Sequence, residues 1–353
     1  MADSPAPPAR FVAINIRRHD AWIGAVDADR QIVLAPCHVA LAGLESWLFQ
    51  QLQPADAVVI VSHANAWQIH DTLDPLVASV IIAHPQLDKL LPSLHTSTDP
   101  RDLLKLARLH AAGLIPALWV PPQAVRDLRA LTAHRRRLIV QHAEAGELLH
   151  SILRRYHLDP PGANRLGSDR PDWWAAQALS PHERACVRNS LAALNRATNL
   201  LADVEERLQR QSMQEPWRTN IDEIMARVGM RRIYAVTLLA AIGDIARFAS
   251  ANHLVGYAGL AGDRHSAHSN EEALEMKQGR REIRATMLDV AETAVRTDPH
   301  WREMFAALER RIGTQRAVVA VARKLLVVLW KALASPAISA PPAESEQTVR
   351  KAA

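Results

Sequence analysis

The chain has 353 residues, 48% hydrophobic and 22% charged, enough to bury a sizeable core and more than one ordinary domain requires. Its net charge of +5 is modest for that length, so the placement of basic residues matters more than their sum. No apolar run reaches the ~18 residues of a membrane span. The two cysteines, Cys37 and Cys186, lie far apart without metal-type spacing, and the Pro/Ala-rich opening MADSPAPPAR lacks an apolar signal core, so a reducing cytoplasmic location is expected.

Residues 1–9 read as a loose arm. RFVAINI, AWIGAVDA and QIVLAPC are short runs joined by RRHD and DADR, which predicts an antiparallel three-stranded meander. ALAGLESWLFQQL has helical spacing. DAVVIVSHA is a continuous apolar run, the pattern of a strand covered on both faces. WQIHDTLDPLV predicts a helix, SVIIAH a strand, and the stretch from Asp99 to Gly113 a helix. Three strands, helix, strand, helix, strand, helix is the order of a ribonuclease-H-like α/β domain with a mixed sheet, expected over 10–122.

IPALWVPP marks a boundary, and the pattern beyond it turns helical. The first long helix places Val125, Leu128, Leu131, Leu138, His142, Leu149, Ile152 and Tyr156 near one stripe. After the break DPPGANRLGSDRPD, a second begins at Ser180, a predicted N-cap. Together they predict an antiparallel helical hairpin over 123–215. The basic run Arg135, Arg136 and Arg137 on the first of them suits phosphate contact as well as a solvated face. An all-α region follows over 221–333. There IMARVGMRRIYAVTLLAAIGD reads as helix, tight turn at Gly229, helix, a helix-hairpin-helix-like segment that presents backbone N–H groups to a phosphate. The tail 334–353 is Pro/Ala/Ser-rich and predicted to be disordered.

TDPRD, at 98–102, sets Asp99 and Asp102 three positions apart at the start of a helix, so both carboxylates share one face. Taken alone, that is half a metal site or an ordinary acidic first turn that complements the helix dipole.

Further blocks carry a family resemblance. AVTLLAAIGDIARFASANHLVGYAGL, then KQGRREIR, then RAVVAVARKLL occur in that order, preceded by IVSHANAWQIHDTL, TDPRDLLKLARLHAAGLIPALWVPP and VRDLRALTAHRRRLI. The series resembles the transposases of the insertion-sequence 110 family, including Piv-type DNA invertases, over about 11–333. The resemblance implies a RuvC-like domain whose D-E-D-D tetrad holds Mg²⁺, followed by a transposase domain with a nucleophilic serine. It implies oligomers, dimeric or tetrameric, that act on DNA with a structured guide RNA. In such a site two metal ions activate the attacking oxygen and stabilise the leaving one.

Asp99 and Asp102 match the last two acids of the tetrad. The first two fall on Asn15 and Val61. The serine position falls on Ser266 when counted back from KQG and on Ala267 when counted forward from GL, with Ser269 a third choice. Expected nucleic-acid contacts are Arg135, Arg136, Arg137, Gly229, Arg231, Arg232, Lys277, Arg280, Arg281, Arg284, Arg323 and Lys324. Asn is a neutral ligand and Val has no lone pair, so the leading expectation is a transposase relative that binds nucleic acid but is impaired in cleavage. An active transposase or invertase with a displaced metal site, and a non-catalytic oligomeric protein, are the other two readings.

Overall fold

The computed structural model describes residues 8–61, 66–83, 100–160, 166, 168–261 and 280–334. Asp99, Ser266, Ala267, Ser269 and Lys277 lie outside the described residues, as do 1–7 of the expected arm and 335–353 of the expected tail. The chain divides into two units, Met1–Val120 and Pro121–Ala353.

The N-terminal unit runs β1 (Arg10–Ile16), β2 (Asp20–Asp27), β3 (Ile32–Ala40), α1 (Leu41–Gln51), β4 (Asp56–Val61), α2 (Ala66–Leu73), β5 (Ser79–Ala83), α3 (Pro100–Ala111) and β6 (Ala117–Leu118). The sheet order is β3-β2-β1-β4-β5-β6. β1, β2 and β3 form the antiparallel meander, β4 runs parallel to β1 and β5 to β4, and β6 returns antiparallel at the edge. This is the mixed sheet expected of a ribonuclease-H-like order.

The apolar runs explain the layers. All six residues of β4 are buried, because a central parallel strand is covered on both faces. On one face Val12, Ile14, Ile23, Val58, Ile60 and Ile82 pack with Leu44 and Leu48 of α1 and Leu73 of α2. On the other, Ala13, Val26, Val59 and Val61 pack with Leu103, Leu104, Leu106 and Ala107 of α3. Ile32 and Val33 stay exposed on the edge strand β3.

A bidentate ion pair fastens the start of the β1–β4 ladder. Arg10 Nε donates to Asp56 Oδ1 at 2.8 Å and Nη2 to Oδ2 at 2.6 Å, and Asp56 is fully buried. Asp56 Oδ2 also accepts from the Gln53 backbone N–H at 2.8 Å. Near the end of α3, His110 packs edge-on against Phe11 at 5.6 Å, and burial pushes its pKa down to about 4, only partly opposed by a backbone hydrogen bond at Ala57.

The C-terminal unit is helical: α4 (Gln123–Arg155), α5 (Pro171–Ala175), α6 (Pro181–Ser212), α7 (Trp217–Val228), α8 (Arg232–Ile242), a 3₁₀ turn at Ile245–Arg247, α9 (Ala251–Tyr257), α10 (Arg281–Thr297), α11 (Pro299–Ile312) and α12 (Thr314–Leu333). α4 and α6 form the antiparallel hairpin, with Arg135 paired to Glu205 at one end and Arg155 to Glu183 at the other. Ser180 caps α6 as expected, in a reciprocal capping box with Glu183. Of the predicted stripe, Val125, Leu128, Leu138, Leu149 and Ile152 are buried. Tyr156 is not: α4 ends at Arg155, and the Tyr156 hydroxyl stands exposed and donates to Glu183. α12 is the central helix of the remainder, burying Val321, Leu325, Leu326 and Leu329 against α7, α9, α10 and α11.

Two outcomes follow from the N-terminal unit. Asp56→Ala leaves a partly buried guanidinium without its partner and should cost about 3 kcal/mol in urea unfolding; a loss well under 1 kcal/mol would show the pair to be incidental. His110 is held neutral in the fold, so its contribution is complete above its unfolded pKa near 6.5 and is lost as pH falls toward about 4. The drop in unfolding midpoint over that window should shrink in His110→Leu; equal drops in both proteins would contradict it.

Candidate functional site

β1 and β4 bring the first two tetrad positions side by side. Asn15 is the register partner of Val61 across the parallel ladder and of Trp22 across the antiparallel one. Alternate residues of a strand share a face, so Asn15 follows Ala13 onto the face that α3 covers. Asn15 is 8% exposed and Val61 4%.

α3 carries the fourth position, Asp102. Its Leu103, Leu104, Leu106 and Ala107 bury against that face. The helix approaches β2 closely at Gly24, where a Cβ would stand 3.2 Å from Leu103 Cδ2 and 3.5 Å from Leu104 Cδ2. That contact seats the first turn of α3, and Asp102 within it is 5% exposed. Asp102 Oδ1 accepts from Lys105 Nζ at 2.8 Å, an i, i+3 pair on the helix. Asn15, Val61 and Asp102 therefore belong to one face of the sheet and the helix that covers it.

The donor set at this place does not fit a two-ion carboxylate centre. Among the described residues it comprises the Asn15 amide, the Val61 hydrocarbon side chain and the Asp102 carboxylate, which already holds an ammonium group. Among the described residues no three His, Cys, Asp or Glu side chains group as metal ligands. Hard cations such as Mg²⁺ depend on clustered anionic oxygens. Val61 instead belongs to the apolar cluster beneath α3.

The expected nucleic-acid contacts divide by what already engages them. Arg135 is paired with Glu205 at 2.7 Å. Arg232 is paired with Asp222 at 2.8 Å, and Arg323 Nε donates to the Leu260 carbonyl at 2.7 Å. Arg136 lies 3.8 Å from Glu282 with its side chain 54% exposed. Arg137, Arg231, Arg281 and Lys324 are exposed, and Arg284 is half-buried on α10. Gly229 ends α7 with φ +73°, the left-handed conformation that a helix C-cap favours in glycine. Arg231 is the N-cap of α8, so the turn between α7 and α8 is the short glycine turn expected of the hairpin-like segment. Arg280 Nε donates to the Tyr257 hydroxyl at 2.9 Å.

Arg129, Arg247 and Tyr257 were not among the sequence candidates, although they cluster with Arg280 in the fold. Arg247 and Tyr257 sit inside the quoted GDIARF and YAGL text, and Arg129 is a cation one residue from buried Leu128 and four from buried Val125. These were the available signals.

Residues 222–306 match the sequence profile described as "Transposase IS116/IS110/IS902 family". The chain is 26% identical over 217 residues to a transposase for insertion sequence element IS1111A from Coxiella burnetii, covering 59% of this chain and 58% of that protein. It is 25% identical over 235 residues to a Sinorhizobium fredii protein named "Putative transposase y4qE", covering 60% of this chain and 52% of that one. The matched stretch thus spans a little over half the length of each curated relative.

Val61→Glu alone should destabilise the N-terminal unit by about 2 kcal/mol, because it exchanges a buried apolar side chain for a carboxyl group with no partner provided. Urea unfolding in metal-free buffer reads this directly; an unchanged midpoint would mean that position 61 opens to solvent or to a ligand. The profile match over residues 222–306 and both relatives agree with the ordered motif blocks: this chain is similar to transposases of the IS116/IS110/IS902 type.

Proposed function

We propose that this chain is a nucleic-acid-binding member of its family, derived from DNA transposition, in which metal-dependent strand cleavage is impaired. The observation that carries the reading is the Asn15–Val61 register pair on the sheet face that α3 covers. The scaffold brings those positions together, and two of them lack the acid that the family resemblance calls for. Among the described residues the one carboxylate of these positions, Asp102, is paired with Lys105, a poor host for two divalent ions.

Binding does not depend on that site. Phosphate contacts need only positive charge and backbone N–H groups. Arg136, Arg137, Arg231, Arg281 and Lys324 offer exposed charge within the C-terminal unit. A DNA partner follows from the family, and a guide RNA and a homo-oligomeric assembly are part of the same proposal. No helix among the described residues is long and apolar enough to cross a membrane, which accords with work on DNA in the cytoplasm.

The test pairs binding with cleavage. Anisotropy of a labelled duplex against salt should give a steep slope, and Arg136→Ala and Arg137→Ala should each flatten it by about 0.9. Arg135→Ala should leave the slope nearly unchanged, because Glu205 already neutralises that guanidinium. A supercoiled plasmid with Mg²⁺ should stay intact. Nicking that requires Mg²⁺ and disappears in Asp102→Ala would overturn the impaired reading in favour of a displaced but working site. No duplex binding at low salt would leave the oligomeric reading.

A further inference from the structure

The long helix α6 handles charge differently along its length. Towards its C-terminus each arginine has an acid one turn before it: Arg207 lies 3.2 Å from Asp203 and Arg210 3.5 Å from Glu206. α7 repeats the device, with Arg227 2.7 Å from Glu223. Between Glu183 and Asp203 the same helix α6 holds Arg184, Arg188 and Arg196 and neither acid nor lysine. All three arginines are exposed, and among the described residues none of their side chains enters an ion pair. The acids around them are engaged elsewhere. Glu183 holds Arg155 at 3.0 Å, and on the facing stretch of α4 Glu147 holds Arg154 at 2.6 Å. Glu144 of α4 is exposed and pairs with none of the three.

A solvated helix face is the ordinary explanation of exposed charge, and it does not explain this distribution. Arg184 and Arg188 are like charges at i, i+4, a spacing that weakens a helix. Arg184 also lies within about one turn of the helix N-terminus, where the dipole favours acids. One acid at position 192 would pair with both Arg188 and Arg196, and alanine stands there. Solubility is served by acids at least as well as by arginines. The helix thus carries local costs that no partner in the fold offsets. Arg184, Arg188, Ala192, Asn195 and Asn199 recur at i, i+4, i+8, i+11 and i+15, which is one helical face, with Arg196 at its border. All six are exposed, while Val187, Leu191 and Leu194 turn inward to the cluster that holds Leu149 and Ile152 of α4. The acid-free stretch is about 27 Å long at the rise of an α-helix. It carries no aromatic residue.

We propose that this outward stripe of α6 is a docking surface for the phosphate backbone of duplex DNA. A duplex offers a regular row of negative charge that a straight helix can follow. The arginines match phosphate oxygens with a planar fork, and the Asn195 and Asn199 amides add hydrogen bonds to the same backbone. Exposed Ala192 between them lets the backbone approach. A stripe without aromatic side chains is unsuited to stacking on unpaired bases, which favours a double helix over a single strand. The proposal rests on the nucleic-acid reading above and adds a surface on a different helix from Arg136 and Arg137.

The test uses the full chain with a labelled DNA duplex and a labelled RNA hairpin. Arg184→Gln, Arg188→Gln and Arg196→Gln should each lower the log–log salt slope for the duplex by about 0.9. Arg207→Gln makes the same change in net charge at an arginine that is already paired, and should leave the slope nearly unchanged. Ala192→Glu supplies the missing acid. It should raise the melting temperature, through pairs with Arg188 and Arg196, and yet weaken duplex binding about tenfold at fixed salt. Circular dichroism melts confirm that each variant is folded. Unchanged slopes in all three stripe variants, with Arg136→Ala still flattening, would return the stripe to a solvated face and leave nucleic-acid binding intact. Equal flattening in Arg207→Gln would show that only net charge is read, and would overturn the surface. Flattening for the RNA hairpin but not for the duplex would overturn the DNA assignment. Absence of duplex binding by the unaltered chain at low salt would overturn both proposals.

Discussion

The parallel pairing of β1 with β4 is the constraint on which the N-terminal site depends. Backbone hydrogen bonds make that ladder, and they are indifferent to side-chain identity. The pairing sets position 15 beside position 61 whatever residues stand there. Burial of Leu103, Leu104, Leu106 and Ala107 then sets α3 on the same face, and Asp102 comes with it. The bidentate Arg10–Asp56 pair anchors the ladder at its other end. Site geometry in such a fold can therefore outlast site chemistry.

The residues at those positions suit the fold. Clustered carboxylates repel one another without a cation. Asn15 carries no charge, and Val61 joins the apolar cluster beneath α3. Burying a valine contributes about 1.5–3 kcal/mol relative to leaving it exposed. Active sites commonly carry such a cost in stability, and relief of it accompanies loss of function. Asp102 keeps a favourable place in the first turn of α3, beside the helix dipole and Lys105, with or without a metal.

Much of the fold was legible because single chemical patterns dictate it. The uninterrupted run DAVVIV has the pattern of a strand covered on both sides, and it is the central β4. Ser180, a favoured N-cap residue, marked the start of α6, and the structure adds its reciprocal bond with Glu183. The site was legible only as far as alignment of motifs reached: Asn15 and Val61 were matched separately, and their adjacency is a property of strand register. The arginines were least legible. Consecutive helical residues point about 100° apart, so Arg135, Arg136 and Arg137 cannot share one task, and the partner that engages Arg135 is seventy residues away in the hairpin. Arg129 was hidden for the same reason, since its acceptors are the carbonyls of Ala240 and Ala241. Tyr156 was misplaced because periodicity does not show where a helix stops.

The central proposal is that this scaffold keeps the strand register of a two-ion site while the side chains at positions 15 and 61 do not support the ions. Anomalous scattering from crystals soaked in Mn²⁺ tests it most directly, comparing the unaltered chain with an Asn15→Asp, Val61→Glu double variant. The account predicts no metal peak within ligand distance of Asp102 in the unaltered chain and a peak there in the variant. An ordered Mn²⁺ on Asp102 in the unaltered chain would contradict it.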